Sequence, residues 1–169
     1  MARRDDPNPA NGFATIDFLI VAVIILIMVT YVSTAVMQAH RWQAREGAAQ
    51  QFANYLERAR SDSMRRRATD SQQMAQVTIL NGSFYSVRTD ENGDGVLDDP
   101  RVINLQEQQL TIDGPFPRTF IFDRAGNYVD SGGNVLKSTF VTFANRSGKS
   151  VVQVLDNGKT SWGNNIGKK

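Results

Sequence analysis

The sequence contains no cysteine and only one histidine, His40, among its 169 residues. The absence of cysteine excludes disulfide bridges, thiolate metal sites and a cysteine nucleophile. A single histidine excludes metal sites built from several histidines, and a Ser-His-Asp triad would have to include His40. Charge of one sign is also lacking, because 19 lysine and arginine residues balance 17 aspartate and glutamate residues to a net +2. The overall charge therefore gives no reason to expect nucleic acid or an acidic partner.

One long apolar segment lies near the N-terminus. Phe18–Val29 contains twelve apolar residues without a break, and the segment extends from Ile16 to about Met37. Its 22 residues would form about 33 Å of helix at a rise of 1.5 Å per residue, which is enough to span a bilayer core. The one charge inside is Asp17, and His40 follows the segment as an interfacial residue, an unsuitable place for a catalyst.

A short polar leader, residues 1–12, precedes the apolar segment. Its two prolines and its Asn-Gly ending argue against helix in the leader. Two general interpretations compete, a secretory signal peptide cleaved near residues 33–35 and a single transmembrane anchor. The positive-inside rule does not choose an orientation, because two arginines stand in the leader and two more follow the segment closely.

The stretch that begins at Gly12, GFATIDFLIVAVIILIMV, resembles the N-terminus of type IV prepilins and pseudopilins. In that family a leader ends in glycine, phenylalanine follows, and a carboxylate stands at the fifth mature position. The matching residues are Gly12, Phe13 and Asp17. The resemblance implies that a prepilin peptidase cuts after Gly12 and methylates the new amine of Phe13. It also implies that Asp17 meets the Phe13 amine of another subunit during filament assembly.

The chain departs from that family at two positions. The family usually has glutamate where this chain has Asp17, so the charge is kept but the side chain is one methylene shorter. Many members have a proline where this chain has Thr34, so a kink at this place is not encoded by proline.

After the membrane segment the helix is predicted to continue to about residue 67, because residues 39–67 contain no proline and many strong helix formers. Glu57 is spaced to pair with Arg60, and Arg58 is spaced to pair with Asp62, on the solvent-facing side. The arginine triplet at the end complements the helix dipole. Residues at helical spacing form one narrow face, namely Ala49, Phe52, Leu56, Ala59 and Ser63.

From Met74 onward, short alternating runs separated by turn residues predict about six antiparallel strands, in one sheet or two small ones. Asn81-Gly82 predicts a hairpin with a type I′ turn. The fold class is therefore α+β, a long N-terminal helix packed on an antiparallel sheet domain, as in pilins. The predicted organisation is a leader (1–12), an apolar helix (13–38), its amphipathic continuation (39–68), a β-rich domain (74–162) and a polar tail (163–169).

Three further segments resemble the GspH/FimT-type pseudopilins and related minor type IV pilins. They are FANYLERARSDSMRRR, FDRAGNYVDSGGNV and VVQVLDNGKTS. The resemblance implies a structural subunit of a type II secretion pseudopilus or a type IV pilus, a substrate of prepilin peptidase and not itself an enzyme. It implies a single-pass inner-membrane protein with its C-terminal domain in the periplasm. Its implied partners are other pilin subunits, the peptidase and the inner-membrane assembly platform. The alternatives are a DNA-binding minor pilin for natural transformation and a plain membrane-anchored periplasmic β domain.

The loop DENGDGVLDD resembles the first half of an EF-hand calcium loop. Hard cations prefer oxygen ligands at alternate positions around a glycine turn. The twelfth position, where an EF-hand has glutamate, is arginine, and strands rather than helices flank the loop. A polar turn whose side chains bind their own backbone is the alternative. The candidate calcium ligands are Asp90, Asn92, Asp94, the carbonyl of Val96, and Asp98.

The C-terminal region combines cations with an aromatic residue. Related competence-type minor pilins bind DNA through a basic C-terminal region, because cations attract phosphate and an aromatic ring can stack on bases. The candidate residues for DNA binding are Lys159, Trp162, Lys168 and Lys169. A solvated polar tail is the alternative interpretation.

Overall fold

The computed structural model describes residues 10–67 and 73–163, with side chains from Ile16 onward. The chain divides between His40 and Arg41 into two compact units. Helix α1 (Ala10–Arg66) begins in the first unit and ends in the second. The helix starts before Gly12, so the prediction that the end of the leader is not helical was wrong. Proline disfavours helix at its own position and just before it, and it does not prevent helix in the residues that follow.

The C-terminal end of α1 agrees with the prediction. The last helical residue is Arg66, and Arg67 adopts a left-handed conformation with φ 53°. A left-handed residue directly after a helix is a common way to end it.

The second unit combines the end of α1 with two antiparallel sheets, which confirms the α+β class. The first sheet has the strand order β3-β2-β1-β5-β6 and the second has the order β4-β7-β8-β9. The prediction of about six strands was too low for the described residues, because β6 and β9 are short and carry no clear alternation. The strands are β1 (Gln76–Asn81), β2 (Phe84–Arg88), β3 (Arg101–Asn104), β4 (Thr111–Asp113), β5 (Arg118–Phe122), β6 (Tyr128–Val129), β7 (Thr139–Asn145), β8 (Gly148–Val154) and β9 (Thr160–Gly163).

Both sheets pack against the helix face predicted from the sequence. Phe52 lies at the centre of this core, and its ring is 5.2 Å from Tyr85, 5.9 Å from Phe120 and 5.4 Å from Phe143. The first two partners belong to the first sheet and the third belongs to the second sheet. Burying a side chain of this size contributes about 2 kcal/mol. The fully buried helix residues are Ala49, Phe52, Leu56, Ala59 and Ser63.

The β1–β2 hairpin forms as predicted, but its turn is not type I′. A type I′ turn at Asn81-Gly82 needs a positive φ at both residues, and neither is among the described residues with positive φ. Instead, Asn81 Oδ1 accepts hydrogen bonds from the backbone N–H of Ser83 at 2.8 Å and of Phe84 at 3.0 Å. The asparagine side chain thus holds the turn by capping amides.

Tyr85 is fully buried, and its hydroxyl has no hydrogen-bond partner among the described residues. Burial raises the pKa of this phenol well above its ordinary value, and the neighbouring Tyr55 adds to the effect. A buried hydroxyl without a partner costs about 1 kcal/mol or more.

Tyr85→Phe is therefore expected to keep or raise the free energy of unfolding at neutral pH, by about 1 kcal/mol. Above pH of roughly 10 the unfolded state loses the phenol proton while the folded state keeps it, so stability falls as pH rises. The variant is expected to fall less steeply. Urea unfolding of the full chain in mild detergent at neutral and alkaline pH measures both effects. A loss of stability in the variant at neutral pH would show that the hydroxyl has a stabilising partner.

Candidate functional site

The apolar segment of α1 is exposed on every side. All side chains from Ile16 to His40 are exposed, and the large apolar ones range from 48% at Val36 to 76% at Phe18 and Tyr31. A core helix of a soluble domain is mostly buried, whereas a helix that is apolar all round suits a membrane or a bundle of helices. Within the described residues this is the one helix long and apolar enough to cross a membrane, and a signal sequence would meet the same criteria.

Asp17 is exposed and is the one acidic or basic residue from Ile16 to Ala39. Gly12 and Phe13 precede it within α1. Phe13 and Asp17 are four residues apart, which puts them on one helix face with a rise of about 6 Å between them. A carboxylate among apolar side chains is disfavoured in lipid until it is paired with a cation. The segment therefore carries a single group that gains from a positively charged partner.

Three hydroxyl residues in the second half of the segment bond back to the helix itself. Thr30 Oγ1 donates to the Leu26 carbonyl at 2.6 Å, and Ser33 Oγ donates to the Val29 carbonyl at 2.8 Å. Thr34 Oγ1 donates in the same way to an earlier carbonyl at 2.8 Å. Because these polar groups are satisfied inside the helix, they oppose an apolar environment less than free hydroxyls would.

In the second unit, segments 52–67, 122–135 and 151–161 contact one another. Arg60 Nε donates to the carbonyl of Gly126 at 2.9 Å, which joins the helix to the β5–β6 turn. Glu57 Oε1 accepts hydrogen bonds from the backbone N–H of Thr160 at 2.8 Å and from its hydroxyl at 3.0 Å. The helix end therefore holds both turns in place. The predicted Glu57–Arg60 ion pair is confirmed at 3.6 Å.

An acid–arginine cluster at the end of α1 was not predicted. Asp62 is buried at 6% exposure, and its carboxylate lies 3.1 Å from Arg65 Nη2 and 2.8 Å from Arg66 Nη2. Arg65 Nη2 also lies 2.9 Å from Asp90 Oδ2. The predicted pairing of Asp62 with Arg58 on a solvated face was wrong, because the 90–98 loop covers Asp62. The arginine triplet thus supplies ion-pair partners as well as helix-terminal charge.

The 90–98 loop, predicted as a calcium site, closes on its own backbone. Asp90 accepts hydrogen bonds from the N–H groups of Gly93 at 2.6 Å and Gly95 at 3.0 Å. Asp98 Oδ2 accepts the N–H of Glu91 at 2.6 Å. In the described part of the chain, no group of three acidic, histidine or cysteine side chains is placed to hold a metal ion.

The remaining predicted ligands follow the same pattern. Asn92 Oδ1 accepts the N–H of Asp94 at 2.9 Å, and Asp94 Oδ1 accepts the N–H of Val96 at 2.8 Å. This is the polar-turn alternative. The loop thus shows the hydrogen bonds of a polar turn, and calcium binding by these residues stays a prediction.

The electrostatics of Asp90 fit this structural role. Burial by itself would raise the pKa of the carboxyl, but the amide hydrogen bonds from Gly93 and Gly95 and the charge of Arg65 outweigh it. The pKa of Asp90 therefore lies below its usual value. The group is a carboxylate at neutral pH, and its charge stabilises the loop against the helix end.

The candidate DNA-binding residues are only partly placed. Lys159 is exposed in the turn between β8 and β9, and Trp162 is 43% exposed on β9. Lys168 and Lys169 lie outside the described residues. The two placed residues do not make a basic groove by themselves.

The described geometry defines an α+β protein whose N-terminal helix exposes an apolar surface with one acid. Comparison of the chain with protein-family models, with curated proteins and with solved structures gave no match in any of the three. A function for this chain must therefore be argued from its own residues and contacts.

Proposed function

We propose that this chain is a minor pseudopilin or minor pilin of the GspH/FimT type. In this proposal it is a structural subunit of a type II secretion pseudopilus or type IV pilus. It is not an enzyme, and it is the substrate of a prepilin peptidase. It resides in the inner membrane with its sheet unit in the periplasm until an inner-membrane assembly platform adds it to a filament of other pilin subunits.

The observation that carries the proposal is the single acid, Asp17, near the start of the part of α1 that is exposed and apolar all round. A plain anchor needs no charge there, because a charge makes insertion less favourable. A subunit that moves from lipid into a helical bundle is stabilised there by such a charge if the bundle contains a cation that pairs with it. The position five residues after Gly12 gives that charge the family's register.

The proposed mechanism has three steps. While residues 1–12 remain attached, the precursor stays in the membrane and the Phe13 nitrogen is held in a peptide bond. Hydrolysis of the Gly12–Phe13 peptide bond frees the Phe13 amine, which is then methylated and remains a cation. Asp17 of an incoming subunit pairs with the Phe13 amine of a subunit already assembled, and the apolar surface exchanges lipid for neighbouring helices. The hydroxyls of Thr30, Ser33 and Thr34 are already hydrogen-bonded within the helix, so they favour neither lipid nor the filament core.

The first prediction from this proposal concerns the mature N-terminus. Membranes from the host are expected to yield an N-terminal peptide that begins at methylated Phe13, and this peptide should disappear when the prepilin peptidase is deleted. The measurement is the mass of the N-terminal peptide of the chain. A Gly12→Ala chain provides a milder block of the same step, and it should accumulate as the precursor with an unchanged sheet unit.

Two other results would contradict the proposal. A peptide that begins near Val36 would identify a secretory signal peptide, and an intact Met1 in the presence of active peptidase would identify a plain anchor. Either result would leave the fold of the second unit unchanged and remove the basis for filament assembly.

A further inference from the structure

A small cleft in the second unit is lined by two arginines and two amides. Its volume is about 300 Å³, and its lining consists of Arg41, Gln109, Asn145 and Arg146. These residues come from three separate segments, namely the helix, the turn that ends a short 3-10 helix (Gln106–Gln108), and the end of β7 with the turn that follows it. None of the described residues that line the cleft is acidic. The cleft therefore concentrates positive charge and hydrogen-bond donors.

Hydrogen bonds hold the β7–β8 turn against the helix at this cleft. Asn145 Nδ2 donates to the carbonyl of Arg41 at 2.7 Å. Directly behind it, the buried Arg45 donates from Nε to Ser150 Oγ at 2.8 Å and from Nη1 to Ser147 Oγ at 3.3 Å. The turn packs so closely that a Cβ on Gly148 would lie 2.7 Å from Arg45 Nη1. The spacing of the cleft is thus fixed by the fold.

Unlike Arg45, the two lining arginines have no partner in the part of the chain that the structure describes. Among the described residues, neither the Arg41 side chain nor the Arg146 side chain forms a hydrogen bond or an ion pair. The nearby acids are already engaged, since Glu46 Oε1 accepts from Ser150 at 2.8 Å and Asp113 pairs with Lys149 at 3.1 Å. Two free guanidinium groups beside one cleft favour an anion with several oxygens.

We infer that Arg41 and Arg146 form a binding site for the phosphate group of an anionic phospholipid at the membrane surface. A lipid headgroup and free inorganic phosphate present the same chemical group, a phosphate anion that two guanidinium groups can hold. Gln109 supplies an additional amide at the rim. The site anchors the start of the sheet unit to the lipid headgroups.

The lipid source follows from where Arg41 stands in the chain, and in this respect the inference rests on the proposed membrane span. Arg41 comes four residues after Met37, the end of the apolar segment. Trp42 follows and is 50% exposed, and tryptophan is enriched where a protein crosses the headgroup region. Basic residues that follow a span directly in the sequence gain from anionic lipid, whereas a soluble phosphate would not require an arginine at that place in the chain.

The test compares lipid preference in four full-length chains, the wild type and the Arg41→Gln, Arg146→Gln and Arg124→Gln variants. Each is reconstituted in phosphatidylcholine bilayers, and electron spin resonance measures its association with spin-labelled phosphatidylglycerol relative to spin-labelled phosphatidylcholine. The matched control is Arg124, which is exposed on the β5–β6 turn and lies outside the cleft. We expect the wild type to prefer phosphatidylglycerol, each cleft variant to reduce that preference about fivefold, and the control to keep it.

Three results would overturn the inference. One is a wild type without preference, and another is an equal reduction in Arg124→Gln, which would assign the effect to overall charge. The third is loss of the preference on adding inorganic phosphate at constant ionic strength, which would assign the cleft to a free phosphate.

Failure of the inference can be separated from failure of the proposed function. The lipid preference does not require cleavage after Gly12. A methylated Phe13 peptide without lipid preference would overturn the lipid site alone. A preference in a chain that is never cleaved would support the lipid site and overturn the filament proposal. A chain that does not float with the vesicles would overturn the membrane span and the lipid site together.

Discussion

Asp17→Ala is expected to leave cleavage after Gly12 unchanged and to lower the amount of chain in filaments at least tenfold. The carboxylate is the one charge in the apolar segment, so its proposed pairing with the Phe13 amine is the one polar interaction that favours the filament over lipid there. A charge pair with a net value of about 1.4 kcal/mol corresponds to a factor of ten. The alanine variant also inserts more favourably in lipid, which moves the balance further from the filament.

The measurement is the ratio of filament-bound to membrane-bound chain in sheared preparations, with the mass of the N-terminal peptide as the control for processing. Asp17→Glu keeps the charge and is expected to assemble, because it leaves a carboxylate at the same position to pair with the amine. Asp17→Asn keeps the size without the charge and should behave like alanine. Normal filament content in Asp17→Ala would refute the pairing.

The buried face of the helix could be predicted because its cause is local. Ala49, Phe52 and Leu56 recur at the helical period, and the period places them on one side of α1 whatever lies opposite. The sheet that covers them needed only short alternating runs to be recognised. The order of the strands depends on contacts between distant segments, so it could not be predicted from the periodicity of the sequence.

The ion pairs show where local spacing fails. Glu57 and Arg60 pair as their spacing suggests, because both remain on the partly exposed side of the helix. Asp62 has the correct spacing for Arg58, but it is buried beside Asp90 and takes other arginines instead. Arg58 pairs with Glu91 at 3.6 Å. Only the position of the 90–98 loop decides this exchange, and the loop is far from the helix in sequence.

The cleft could not be predicted for the same reason. Arg41, Gln109 and Arg146 are separated by more than thirty residues along the chain, and each alone is an ordinary polar surface residue. The hydrogen bond from Asn145 to the Arg41 carbonyl brings their segments together. By contrast, the candidate assembly residues Gly12, Phe13 and Asp17 are adjacent in sequence, so their pattern could be seen without the fold.

Gly158→Ala is expected to be among the most destabilising single substitutions in the sheet unit, at about 3 kcal/mol. Gly158 has a φ of +72°, and an added Cβ would overlap the carbonyl oxygen of Gly126 and lie 3.1 Å from Arg60 Cδ. The left-handed conformation alone costs about 1 kcal/mol for alanine, and forcing apart packed backbone costs about 2 kcal/mol more. The turn that would have to move is held by Arg60, so the strain reaches the helix.

Gly133→Ala separates the two costs, because Gly133 has nearly the same φ of +80° and nothing within 4 Å of an added Cβ. It should lose only the conformational part, about 1 kcal/mol. Urea unfolding of both full-length variants in mild detergent, followed by near-ultraviolet circular dichroism, gives the difference directly. Equal losses would mean that the Gly126–Gly158 contact can relax freely. A larger loss at Gly158 would establish that the helix end and the two turns form one rigid structure, as the contacts of Arg60 with Gly126 and of Glu57 with Thr160 require.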